Sequence, residues 1–328
     1  MNRRNQILSA VLVVQIVVGA LVFWPRSTTS AGSGPLFADF KAADVVNLAI
    51  SDANGEHITL AKSGDNWVLP EAGDYPADST KIAPLLNKIE SLKTNRLVTQ
   101  TDASHKRLKV ASDDFDRLIE VKLQDGTSHK LYLGSTAGVS TTHIRADDQS
   151  EVYLASNLSS WDVNAQASAW IDTLYFTVPQ TATVALTLQN QNGTFEFEKE
   201  GDNWTMKGLA GDEKLSVNNV TTLVSQATAV HMVSPIGKES QDSFGLDAPL
   251  AVVTLKTKEG DQEKTYTLKI GAKSDDGNSY VASSSESPYY VRVAEYLEKS
   301  FGEKTRNDFL ELPPTPTPTA GSESAPTP

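Results

Sequence analysis

"VVNLAISDANGEHITLAKSGDNWVL" at residues 45–69 and "VALTLQNQNGTFEFEKEGDNWTM" at residues 184–206 decide the fold. Each alternates apolar and polar residues, turns at Asn-Gly, alternates again, and arrives at Gly-Asp-Asn-Trp. Alternate side chains of a strand share one face, so Val46, Leu48 and Ile50 are expected to point inward, like Val184, Leu186 and Leu188. Asn54-Gly55 and Asn192-Gly193 supply the turn that joins two antiparallel strands. Ile58 and Leu60 then correspond to Phe195 and Phe197. Gly64-Asp65 and Gly201-Asp202 make a further turn, because these residues tolerate left-handed and Asx-turn backbone. Trp67 and Trp204 open a short third strand and are expected to be equivalent core rings, since aromatic side chains beside turns bury area. A ligand groove lined by each Trp is the alternative.

The correspondence runs on with an offset of 134–138 residues. "DSTKIAPLLNKIESL" sets Ile82, Leu85, Leu86 and Ile89 on one helical face, capped by Asp78 or Ser79. "SVNNVTTLVSQATAV" does the same with Val220, Leu223, Val224 and Ala227, capped near Ser216 or Asn218. Pro84 lies beyond a first turn that starts at Asp78, so a kink or a late helix start is expected there. "RLKVASDDFDRLIEVKLQDG" answers to "SFGLDAPLAVVTLKTKEG", with Ile119, Val121 and Leu123 alternating as in a half-buried antiparallel strand. "LYLG" at 131–134 matches "LKIG" at 268–271, and "EVYLAS" and "YYVRVA" follow as last strands, each before a helix. "WIDTLYF" faces "RNDFLEL", which sets Asp172 opposite Asp308. The order of these matches makes the chain a duplication.

The chain has 328 residues and a formal charge of −12. With Arg3, Arg4 and Arg26 set aside, residues 27–328 hold 26 basic against 41 acidic residues, a net −15. Such a body repels phosphate backbones and anionic headgroups, so nucleic acid is not expected as a partner. Cysteine is absent, which removes disulfides, thiolate metal sites and a cysteine nucleophile. Ile7–Trp24 carries no charge, and its 18 residues span about 27 Å as a helix, close to a bilayer's hydrocarbon core. Trp24 suits the interface and Pro25 ends the helix, while Arg3 and Arg4 favour an N-terminus held in the cytoplasm. The length of the apolar run argues for a retained anchor over a cleaved signal peptide, whose cleavage site would be Thr29-Ser30-Ala31. The C-terminal "PPTPTPTAGSESAPTP" cannot pack and is expected to be an extended, disordered tail.

"FGLDAPLAVVTLKTKEG", "YTLKIGAKSDDGNSYVA" and "PYYVRVAEYLEKSFGEKTRNDFL" resemble a bacterial family known as domain of unknown function four thousand three hundred and forty. Shared features are the Gly-Leu-Asp stretch, the Leu-x-Ile-Gly turn, the closing Arg306-to-Leu310 segment, and the turn before a strand Trp. The resemblance covers about 44–312. The first copy departs from it, reading Leu108-Lys109-Val110 where the second has Phe244-Gly245-Leu246. The resemblance implies one N-terminal membrane helix and a neighbourhood of ABC-transporter components of gliding-motility type. It implies no catalytic residues.

Chemistry-bearing motifs are few. His57, His105, His129, His143 and His231 show no zinc-ligand spacing. His57 and His129 fall on expected strands, and His231 at a helix end. "SDDFD" (112–116) and "KSDDGNS" (273–279) offer carboxylates near turns, but neither matches the twelve-residue calcium loop, and both read as solvated loops. Tyr289-Tyr290 sits on a strand with one ring to each face, and a sugar-stacking role is open to it. The sequence therefore assigns no catalytic, cofactor or metal residue.

The expected architecture is α+β: two homologous lobes, each a mainly antiparallel β-sheet with two packed helices, plus one N-terminal transmembrane helix. The segments are a basic end and anchor (1–26), a spacer (27–43), a first repeat (44–178), a second (179–312), and the Pro/Thr tail (313–328). The expected activity is that of a single-pass protein of the cytoplasmic membrane with an extracytoplasmic body. It would be a non-catalytic accessory or scaffold that docks onto a membrane complex of ABC-transporter type. The rivals are a ligand- or glycan-binding protein and a cell-wall hydrolase.

Overall fold

The computed structural model describes Gln15 and residues 34–311. The expected anchor Ile7–Trp24 (Gln15 apart), residues 27–33 of the spacer and the tail 313–328 lie outside the described residues. Among the described residues no helix is long and apolar enough to cross a membrane.

The molecule is mainly antiparallel β-structure, built as two nine-stranded sheets with few helices. The first sheet holds β1 (Val45–Asp52), β2 (His57–Ser63), β3 (Asn66–Leu69), β4 (Tyr75–Pro76), β5 (Leu97–Thr99), β6 (Arg117–Leu123), β7 (Ser128–Gly138), β8 (Thr141–Ala146) and β9 (Val152–Ser156). The second holds β10 (Leu174–Thr177), β11 (Thr183–Asn190), β12 (Gly193–Glu200), β13 (Asn203–Met206), β14 (Ala229–Gly237), β15 (Ala251–Glu259), β16 (Gln262–Lys273), β17 (Ser279–Ser284) and β18 (Ser287–Ala294). The orders are β4-β3-β2-β1-β6-β7-β8-β9-β5 and β13-β12-β11-β15-β16-β17-β18-β14-β10. From β3 and from β13 onward, eight successive strands follow the same scheme. By compactness, residues 34–65 and 79–169 form one unit, and residues 66–78 with 170–311 form the other.

The turn chemistry holds as expected. Gly64 and Gly201 take nearly the same left-handed φ, 63° and 62°, which a Cβ would strain. Asp52 Oδ1 accepts from the N–H groups of Asn54 and Glu56, and Asn190 Oδ1 from Asn192 N–H, so each hairpin carries an Asx turn.

Strand faces differ from the expectation at one matched point. Leu48, Ile50, Leu186 and Leu188 are buried, but Val45 and Thr183 are the other inward residues, in place of Val46 and Val184. A register shift between Val45 and Asn47, and another between Thr183 and Ala185, explains it. One extra residue at a bulge flips every side chain beyond it to the other face.

Helix α1 (Ser79–Glu90) buries Ile82, Leu85, Leu86 and Ile89, and runs through Pro84 without starting late. Helix α3 (Val217–Thr228) buries Val220, Leu223, Val224 and Ala227, and packs on β13–β15. Between them α2 (Ala103–Arg107) is a short addition. The helix expected after β18 forms as a short one, whereas none of comparable length follows β9. Residues 157–169 are bent by their own side chains: Asp162 accepts from Ser159 N–H and Oγ, and Asn164 from Gln166 N–H. After β18 stands a one-turn π-helix, Glu298–Gly302, ending where Gly302 presses on Leu250.

The packed region begins before residue 44. Leu36, Phe37 and Phe40 are buried, so this part of the expected spacer belongs to the core. Leu36 N–H bonds Leu92 O and Thr94 N–H bonds Gly34 O, which lays 34–36 beside 92–94. In the second unit β10 makes the corresponding contact with β14, where Leu174 pairs with His231 and Phe176 with Val230.

The two indoles are not equivalent. Trp67 is 6% exposed, whereas Trp204 is partly exposed. β4 flanks β3 through Val68–Pro76 and Leu69–Tyr75 pairs, while β13 ends its sheet.

Candidate functional site

The residues singled out for chemistry are engaged locally. His57 lies between Ser51 and Thr59 hydroxyls at 3.0 Å each, and His105 is buried with Nε2 3.0 Å from Ser150 O. His143 Nδ1 stands 2.7 Å from Ser135 O. His129 Nδ1 is 3.3 Å from Asp147, under the Phe37 ring at 4.6 Å. His231 stands on β14 rather than at a helix end, because α3 stops at Thr228, and its Nδ1 is 3.1 Å from Thr173 Oγ1.

Both acidic clusters serve structure. Asp113 and Asp114 pair with Lys106 and Lys109 at 2.7 and 2.8 Å. The hydrogen bond from Lys106 holds the Asp113 carboxyl below its ordinary range. Asp276 accepts from Ser279 Oγ and from the Asn278 and Ser279 N–H groups, which closes the β16–β17 turn. Asp172 and Asp308 both cap turns, accepting from Leu174 N–H and from Thr305 N–H respectively. Among the described residues no group of three or more His, Cys, Asp and Glu could hold a metal ion.

Tyr289 and Tyr290 are held by protein. Tyr290 packs on Phe244 at 5.2 Å, and Tyr289 meets Tyr75 edge-on at 4.7 Å while donating to Asp74 O. Burial, with the Asp172 charge next, pushes the Tyr75 phenol up to about 12.

Among the described residues three surface features stand out. One is the end of the first sheet at the β7–β8 turn, which carries two exposed apolar side chains. Val139, on the β7–β8 turn, is 98% exposed and Trp161 is 93% exposed. Asn157 N–H reaches Ser140 O at 3.4 Å, which ties the Trp161 loop to the Val139 turn. Arg96 Nη1 donates to Ser156 Oγ, bringing the start of β5 to the same end. The second feature is the outer edge of β5, where Leu97 and Val98 are 38% and 40% exposed.

The third is a polar cleft of about 400 Å³ in the second unit, between α3 and the segment after β18. Asn219, Thr222, Gln226, Lys299, Ser300, Lys304 and Asn307 line it, over Phe309. Burial alone would raise the Asp308 carboxyl, but Thr305 N–H and hydroxyl, with the Lys304 charge, hold it below its ordinary value.

A family model described as a domain of unknown function (DUF4340) matches residues 67–234, just over half of the chain. The chain belongs to the DUF4340 family. The DUF4340 match begins at Trp67 and ends on β14, so it takes in α1, the "LYLG" strand and the second Gly-Asp-Asn-Trp. The 244–310 segments that carry the resemblance most fully lie beyond it. No curated protein and no solved structure gives a significant match.

In this DUF4340 chain Arg306 clamps the loop after β13. Its Nε donates to Glu213 at 3.1 Å, its Nη2 donates to Gly208 O at 2.7 Å and also to the other Glu213 oxygen. The Arg306 hydrogen bond, then Ala210 N–H, lowers the Glu213 carboxyl from 4.5 to about 2. A depressed carboxylate stabilises the fold above its unfolded value and loses that contribution as pH falls through the folded one. Stability should therefore decline between about pH 4.5 and about pH 2. Denaturant midpoints across that window are expected to fall more steeply for the wild type than for Arg306→Gln. Parallel curves would show that the clamp contributes nothing.

Val139 and Trp161 were not legible as a surface pair. "STAGVSTT" and "SSWDVN" have no periodicity, and only a loop Trp without an obvious core partner signals the second.

Proposed function

We propose that the chain is a membrane-anchored extracytoplasmic scaffold of two homologous lobes, 44–178 and 179–312, docking without catalysis onto a membrane complex of ABC-transporter type. The observation that carries this reading is the exposure of Val139 and Trp161 on adjoining loops at one end of the first sheet. An indole left 93% exposed is the kind of anchor that dominates protein interfaces once buried. The tether supports it too. Only nine residues separate Trp24 from Gly34, a reach of at most about 35 Å, and Gly34 is bonded to Thr94, close in sequence to Arg96. The first sheet is thus kept near the bilayer that the anchor Ile7–Trp24 would cross. The family resemblance supports the kind of complex, and the common strand order supports the duplication.

A photoreactive residue at position 161, activated in native membranes, is expected to crosslink to a transporter-type membrane protein. Trp161→Ala should leave thermal stability within about 0.5 kcal/mol of wild type, since it touches little. It should cut co-purification of that partner roughly thirtyfold, the equivalent of about 2 kcal/mol at an interface anchor. Recovery of the bait alone, or unchanged co-purification by the variant, counts against docking through this end.

The cleft over Phe309 favours a second reading, a receptor for a small polyhydroxylated ligand, since Asp308 lines it beside Lys304. Lys299 and Lys304 supply charge there, and Asn219, Gln226 and Asn307 supply amides.

A further inference from the structure

One contact inside the second unit has a vacant counterpart on each side. The segment after β3 carries Ala72-Gly73-Asp74, and the segment after β13 carries Ala210-Gly211-Asp212. The first tripeptide seats on the end of β14. A Cβ on Gly73 would stand 3.3 Å from Lys238 N and 3.4 Å from Gly237 Cα, and Ala72 is buried. Tyr289 Oη donates to Asp74 O at 2.9 Å, and Lys238 lies over the Tyr289 ring. The second tripeptide is exposed throughout.

The receiving strand also has a counterpart. β14 lies next to β18 in its sheet as β5 lies next to β9. Pro235 and Gly237 pair with Val291 and Tyr290, as Leu97 and Thr99 pair with Tyr153 and Val152. The end of β14 is covered, but at β5 Leu97 and Val98 remain over a third exposed.

We propose that the chain associates head to tail with a second copy of itself, the Gly208–Glu213 loop of one copy seating on the Leu97–Gln100 edge of the next. Arg306 holds the loop through Gly208 O and Glu213, and the Ala210–Asp212 tripeptide has to take up the left-handed turn that Gly73 makes when it seats. Charge favours the match: Asp212 is exposed on the loop, and Lys93 and Arg96 are exposed beside Leu97. Glu151 stands where Tyr289 does, so the bond from Tyr289 to Asp74 O is not reproduced, and the apolar edge with Arg96 must carry the contact. Because the two surfaces differ, the contact is heterologous, and added copies lengthen the assembly, as open chains or as rings according to the rotation per copy. The inference rests on matched strand order and local register, not on docking through Trp161.

The absence of cysteine makes the test clean. Full-length Val98→Cys and Ala210→Cys chains, with tags of different size, are mixed in detergent micelles and oxidised. The mixed dimer is expected at ten times or more the yield obtained when Val98→Cys is mixed with Thr127→Cys, which lies on an exposed turn. Asp212→Lys on the Ala210→Cys chain should lower that yield severalfold. Sedimentation of the cysteine-free protein should show mass rising with concentration, and Val98→Asp, at a surface position, should abolish the rise. Equal yields for positions 210 and 127 would overturn the proposal, as would a disulfide formed within one chain that carries both Val98→Cys and Ala210→Cys. A wild type that sediments as a monomer at every concentration would overturn it as well.

Discussion

Gly134→Ala and Gly271→Ala should each destabilise the fold by about 3 kcal/mol, a fall in melting temperature of roughly 6–12 °C. A Cβ on Gly134 would stand 2.0 Å from Leu108 O and 2.6 Å from Lys109 O, and a Cβ on Gly271 would stand 2.1 Å from Phe244 O. These neighbours are backbone, so no side chain can rotate away. The crossing segment itself has to move, and in the first sheet that breaks the 2.9 Å bond from Ser135 N–H to Leu108 O. Gly211→Ala, where a Cβ meets nothing within 4 Å, should leave the melting curve in place in dilute solution. Differential scanning calorimetry of the three variants separates the cases. Wild-type melting for both Gly134→Ala and Gly271→Ala would show that the crossings relax freely.

Trp67→Ala should cost about 3–5 kcal/mol, and Trp204→Ala only about 1–2 kcal/mol. The two residues share a tetrapeptide, a turn and a neighbouring strand, yet their surroundings diverge. Trp67 lies on a strand flanked by β4, and its carbonyl accepts from Ala77 N–H at 2.8 Å. Trp204 pairs with Lys199 on one side and has no strand on the other. Truncating a buried indole loses its transfer energy and leaves a cavity, whereas truncating a partly exposed one loses less area and lets water in. Urea midpoints for the two variants measure the difference. Equal losses would mean that the sheet edge at β13 is covered in solution.

Period and turn chemistry carried much of this architecture. Gly64 and Gly201 were readable because a left-handed turn needs them, and the faces of α1 and α3 because their apolar residues recur at helical spacing. The matched Gly134 and Gly271 were readable as a repeat but not as a crossing, since nothing local says which distant carbonyl lies above them. The bulges at Val45–Asn47 and Thr183–Ala185 were illegible for another reason. Alternation looks the same whichever way it is phased, and Val46 and Val184 are apolar enough to pass as core. The helix expected after β9 failed where Asn, Asp and Ser bond their own backbone. Site chemistry was the least legible part. The DUF4340 resemblance brought no reacting residue with it, and the exposed Val139 and Trp161 belong to loops that adjoin only through the distant pairing of β8 with β9.

Residues 66–78 group with residues that follow 170, and Tyr289 reaches back 215 positions to Asp74. During synthesis the early segment emerges long before the strand that receives it, at about 5–20 residues per second. For that interval Ala72 and Tyr75 have no permanent seat, and the intervening residues can finish their own packing first. The last closure joins distant ends of the chain, so it is slow by topology. A holdase that shields the waiting loop, or a secretion route that delivers the chain quickly, would therefore change the yield of folded protein without altering its final stability.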